Sequence, residues 1–186
     1  MDMGGKLICK ACRLIIAESK LGAVCPACGV PRSAFEAYAD PVKPRRRFFI
    51  DLNLHPISLH FPQALSLLVP FCLGAGFIAG GQWGARFDGA ALILSMLFPL
   101  SVLGAFTTGV FDGSMRFKKL RAPYLVRKIF LGASLFMLSV AAAALAFMVG
   151  VEGARVSIGA VCMAAVLVEI ALAQIGKSLM CAALPG

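Results

Sequence analysis

The 186 residues predict an all-α integral membrane bundle of four transmembrane helices, preceded by a small metal-binding β domain. Hydrophobic residues make up 60% of the chain and its mean hydropathy is +0.87, against roughly 45–50% apolar residues in soluble domains. The excess falls almost wholly after Phe48, where the sequence reads as lipid-embedded. Ahead of it stand two C-x-x-C knuckles, Cys9 to Cys12 and Cys25 to Cys28, with 12 residues between them. That spacing lets four thiolates close around one ion as a tetrahedron.

Residues 1–38 form the metal ribbon. A segment of about 35 residues cannot bury enough core to fold alone, so the ion must contribute folding free energy. Gly29, just after the second knuckle, permits the tight turn that presents backbone N–H groups to the sulfurs. Residues 39–56 read as a basic, proline-containing linker and interfacial segment. Within it, the prolines of Ala39-Asp-Pro-Val-Lys-Pro-Arg-Arg-Arg47 favour extended backbone and the arginines suit an anionic headgroup zone.

Residues 57–186 form the transmembrane domain. A spanning helix needs about 20 predominantly apolar residues, and four stretches supply them: Ile57 to Ala79, Ala90 to Val110, Ile129 to Val151 and Val156 to Ile175. Pro62, Pro70 and Pro99 fall in or at the edge of these spans and predict kinks. Gly76-x-x-x-Gly80, Ala105-x-x-x-Gly109 and the alanine run 141–144 offer close helix approach, which lipid does not otherwise drive.

Charge sets the expected orientation. The segment from Ser114 to Lys128 holds six cationic residues and no acid, whereas Gly80 to Gly89 and Glu152 to Arg155 carry one arginine and one acid each. By the positive-inside rule the basic loop, Arg45 to Arg47, the ribbon and both termini are cytoplasmic, at the inner membrane of a bacterium. The first 30 residues lack an apolar h-region of about 7–15 residues, and the knuckle thiols suit a reducing compartment. The excess of 18 Lys and Arg over 9 Asp and Glu therefore records topology, and no fold signature of nucleic-acid binding accompanies it.

The segment Cys25-Pro-Ala-Cys-Gly-Val-Pro-Arg-Ser-Ala-Phe-Glu36, with Cys9-Lys-Ala-Cys12 before it, resembles the rubredoxin-like domain at the end of rubrerythrins. The resemblance covers about the first 38 residues. It implies that Cys9, Cys12, Cys25 and Cys28 hold one mononuclear iron that passes single electrons to a membrane or soluble redox partner. After the first knuckle that family usually has glycine and an aromatic, where this chain has Arg13 and Leu14. A side chain is costly where the turn needs positive φ, and a cation beside the cluster stabilises its more negative, reduced state. The alternative is zinc, in a structural or assembly subunit of a larger membrane complex with no redox role.

His55-Pro-Ile-Ser-Leu-His60-Phe-Pro62, which holds the chain's two histidines, resembles the opening of the first span in an uncharacterised family of small bacterial four-helix membrane proteins. Thr108-Gly-Val-Phe-Asp112 is similar to that family's second span. The resemblance implies the fold and no activity. His55, His60 and Glu169 are candidates for a quinone, haem or proton site, because ionisable groups in a span are costly and mark function by default. Haem is disfavoured: a five-residue separation turns a straight helix by about 140°, so one helix cannot place both imidazoles on opposite faces of one macrocycle. Nothing resembles a nucleophilic triad or a phosphate loop, and the acids are too scattered for paired acid–base work, so a stand-alone enzyme is not expected.

Overall fold

A computed structural model describes residues 5–40, 42–117 and 121–180 and divides the chain at Pro44 into two compact units. Pro41 of the linker, Lys118 and Lys119 of the basic loop, and Cys181 lie outside the described residues.

In the first unit three short antiparallel strands, β1 (Lys6–Cys9), β2 (Ile15–Ala17) and β3 (Phe35–Tyr38), form a sheet in the order β2-β1-β3. β1 is central because both its edges are used: Ile8 lies opposite Ile15 on one side and Glu36 on the other, and Cys9 lies opposite Phe35. Single 3-10 turns at Glu18–Lys20 and Arg32–Ala34 bracket the second knuckle. Strands this short bury little, and the sheet serves mainly to hold one cysteine and aim the next turn.

The second unit is helical. α1 (Pro44–Asp51) starts with proline, whose fixed φ suits the first helical position and whose missing N–H would have no partner there anyway. Part of the segment expected to be extended linker is therefore helix. Asn53, with φ 49°, breaks the chain between α1 and α2 (Leu54–Ser58), and its Nδ2 donates to the Asp51 carbonyl at 3.0 Å. Such local bonding is what lets asparagine adopt left-handed backbone.

α3 (His60–Ala79), α4 (Gly81–Phe117), α5 (Pro123–Met148) and α6 (Val151–Met180) each pack on the next, and α6 returns to α3 to close a four-helix bundle. Four helical stretches are long and apolar enough to cross a membrane, the first of them running on from α1 and α2 into α3. Val69, Phe98, Val102, Ala142, Ile158 and Ala165 meet in the core, while Phe77, Ile78, Phe147 and Val156 point outward. A bilayer makes that outward apolar surface favourable.

α4 is longer than its predicted span at both ends. Its 37 residues run about 55 Å at 1.5 Å each, well beyond a hydrocarbon layer of about 30 Å. Gly80 and Gly81, at φ 58° and 52°, let α4 restart directly after α3. The close approach expected of Gly76 and Gly80 falls instead on Gly76 and Gly84: a Cβ on Gly84 would lie 2.9 Å from the Gly76 carbonyl oxygen.

Candidate metal centre

Both knuckles are built the same way. In the first, the Arg13 N–H donates to the Cys9 carbonyl at 2.9 Å and the Cys9 N–H to the Leu14 carbonyl at 2.9 Å. In the second, Gly29 donates to Cys25 at 2.9 Å and Cys25 to Val30 at 2.8 Å. Each closes with positive φ, at 64° for Arg13 and 76° for Gly29. The turn therefore demands the same backbone at both places, and only the second has the residue that adopts it freely.

These turns bring the four sulfurs within 4.8 Å of one another. Cys9 and Cys28 sulfurs are 3.8 Å apart and those of Cys12 and Cys25 are 3.7 Å apart. A tetrahedron with metal–sulfur bonds of about 2.3 Å has edges of about 3.8 Å, so the four can hold one zinc-sized ion. Cys9 and Cys25 are buried, whereas Cys12 and Cys28 are exposed. One edge of the cluster is therefore at the surface.

The electrostatics follow from crowding. The Cys12 N–H holds the Cys9 thiol below its ordinary value of 9.0 against burial, helped by the Ala11 N–H and the sulfurs of Cys12 and Cys28. Burial opposes ionisation of Cys25, but the N–H groups of Cys28 and Ala27 and two neighbouring sulfurs outweigh it and bring that thiol down to about 7. At Cys28 the Val30 N–H favours the thiolate, yet desolvation and the three other sulfurs push the thiol up to about 12. Backbone dipoles thus prepare the cluster for negative charge, and mutual repulsion stops it from filling. A bound cation removes that conflict, which couples metal binding to proton release.

The other candidate residues lie in the helical unit and do not form one site. The His55 Nδ1 is 3.1 Å from the Ala105 carbonyl oxygen, which can only accept, so Nδ1 carries the hydrogen. Nε2 then accepts from Lys128 Nζ at 3.5 Å. Both ring nitrogens are engaged within the protein. The imidazole rests on Gly109, where a Cβ would come within 2.8 Å of the ring, so Ala105-x-x-x-Gly109 makes room for a side chain rather than for a helix. Ser58 and Thr108 hydroxyls meet at 2.7 Å, and Arg116 pairs with Asp112 at 2.8 Å while reaching Asn53 at 3.5 Å. The two sequence motifs therefore pack against each other, joined by Lys128 from α5.

His60 is exposed at the start of α3, and among the described residues no hydrogen bond or ion pair joins it to Glu169. Glu169 meets Ser66 of α3 instead, at 2.9 Å, and its Oε1 is buried with no hydrogen-bond partner among the described residues. Toward the other end of the bundle, Arg155 of α6 pairs with Asp88 of α4 at 2.8 Å and donates to the Leu73 carbonyl of α3 at 2.9 Å. The members of that three-helix clasp are far apart along the chain, so no local spacing encodes it.

Comparison of the chain with protein-family models, with curated proteins and with solved structures finds no match, so its description rests on a four-cysteine cluster that can hold a metal ion and four helices fit to cross a membrane.

Proposed function

We propose that the chain is a membrane-anchored rubredoxin-like electron carrier, working one electron at a time at the cytoplasmic surface of a bacterial inner membrane. Cys9, Cys12, Cys25 and Cys28 would hold one iron, whose ferrous–ferric couple supplies the chemistry. The observation that carries this reading is the exposed edge of the cluster: Cys12 and Cys28 reach the surface while Cys9 and Cys25 anchor it from inside. A partner docking there meets sulfur directly, without an intervening protein layer. The chain's own residues set the rest. N–H groups of Cys12, Ala11, Cys28, Ala27 and Val30 favour negative sulfur, and the exposed Lys10 and Arg13 beside the first knuckle attract an acidic partner.

Tethering to the bilayer raises the effective concentration of the redox centre near a membrane partner or a quinone. The cationic bias of residues 45–47 and 114–128 supports placing that end of the bundle, the ribbon and both termini in the cytoplasm.

A second reading, a zinc-stapled subunit that docks on a larger complex, is favoured by Arg13, which strains a turn the redox family closes with glycine. Full-chain protein prepared anaerobically and assayed for metal separates the two. Iron, with a red colour that bleaches on dithionite, supports the carrier. Stoichiometric zinc in colourless protein overturns it in favour of the scaffold.

A further inference from the structure

The Ser66 hydroxyl has one hydrogen and two oxygen neighbours that compete for it. Its Oγ lies 3.0 Å from the Gln63 carbonyl oxygen on its own helix and 2.9 Å from Glu169 Oε2 across the α3–α6 boundary. A carbonyl oxygen only accepts, so the bond to Gln63 uses the hydrogen of Ser66. The contact to Glu169 then needs a hydrogen from the carboxyl. The opposite assignment sets Ser66 and Gln63 oxygens at 3.0 Å with no hydrogen between them. It also leaves a carboxylate with one hydrogen bond and a buried, unpartnered Oε1 inside an apolar bundle, which is a costly arrangement.

We propose that Glu169 and Ser66 form a proton-binding site in the bundle interior, in which the carboxyl keeps its proton and donates it to the Ser66 hydroxyl, which in turn donates to the Gln63 carbonyl. Every hydrogen in that chain has an acceptor, and the oxygen left over is a neutral carbonyl oxygen rather than half of a charge. Ser66 is fully buried, so the donor direction is fixed by protein and not by solvent. α4, which packs on α3, carries a further polar group in the interior: the Ser95 hydroxyl is buried, and among the described residues no hydrogen bond reaches it.

The charged surroundings are sparse. Cys162 lies about two turns back on the same helix, and among the described residues no charged side chain of α3, α4 or α5 bonds to the carboxyl. Lys177 stands further along α6 and is exposed. A proton is thus the natural counterion here, and the site releases it only when another positive charge or a conformational change reaches the interior. This inference is independent of which metal the ribbon holds.

Infrared spectroscopy of the full chain in phosphatidylcholine vesicles at neutral pH tests it. Glu169→Gln should remove one carboxylic-acid C=O band that shifts in deuterated water, with helix content unchanged. Ser66→Ala, which keeps the carboxyl and removes its acceptor, should move the same band to higher frequency. If Glu169→Gln removes intensity from the carboxylate bands and leaves the acid region intact, the proposal fails. It fails equally if Ser66→Ala leaves every acid band where it was, and this second outcome decides the matter even if the Gln variant does not fold.

Discussion

Among the described residues, the first unit keeps only Cys9, Leu21, Cys25 and Val42 from solvent as its apolar interior, and two of these are sulfur donors. The helical unit instead buries a continuous set from all four long helices, including Val69, Phe98, Ala142 and Ile158, with small residues where helices come closest. Where one unit has almost no core beyond its cluster, the other has little chemistry beyond its core. A metal ion held by the four sulfurs would therefore govern the first, whereas packing governs the second, and each should respond to a perturbation that the other ignores.

The sharpest way to break that contrast is to remove a sulfur. Cys25→Ser leaves three ligands around the ion, and structural thiolate sites contribute about 10–16 kcal/mol at neutral pH, more than a ribbon of this size can replace. Residues 5–40 should lose all amide-exchange protection and become protease-sensitive, while the bundle's unfolding midpoint in sodium dodecyl sulfate stays put. A chelator that strips the wild-type protein should do the same. A matching fall in the bundle midpoint would mean that the two units are not independent.

The next effects belong to the bundle. Asp88→Ala leaves Arg155 with the Leu73 carbonyl and the ring face of Phe77, and breaking a buried pair this way costs about 3 kcal/mol, at the low end of the usual range because the arginine keeps 20% of its side-chain exposure. Gly84→Ala is smaller. Its new Cβ would stand 2.9 Å from the Gly76 carbonyl oxygen, a backbone atom that cannot swing away, and overpacking of this kind costs about 2 kcal/mol. Both should lower the detergent midpoint and leave metal content unchanged.

The two units also differed in how much of them could be read in advance. Four spans were legible because a bilayer demands long apolar runs, and the cysteine cluster because a tetrahedron demands paired donors at short spacing. Both are local rules. The length of α4 was not legible, since Trp83, Arg86 and Asp88 look like loop until Arg155 arrives to neutralise the acid. Likewise His55 and Lys128, or Ser66 and Glu169, meet only after the helices pack, and no spacing encodes a partner so distant in the chain. The strands were short enough that β1 is recognisable mainly by the cysteine at its end.

The smallest expected effect compares the knuckles themselves and carries the opposite sign. Arg13 and Gly29 occupy equivalent turns at φ 64° and 76°, so Arg13 bears the cost of left-handed backbone that Gly29 avoids. Arg13→Gly should stabilise the ribbon by about 1 kcal/mol, which a chelator competition reads as roughly five-fold tighter metal retention. The side chain is exposed, and among the described residues no hydrogen bond or ion pair holds its guanidinium, so little is lost in exchange. Removing it also removes a charge beside the cluster, and Arg13→Ala separates the two causes because alanine drops the charge but keeps the strain. If strain dominates, alanine should match or fall below the wild type while glycine exceeds it. If alanine gains as much as glycine, then electrostatics and not backbone geometry sets the difference between the two turns.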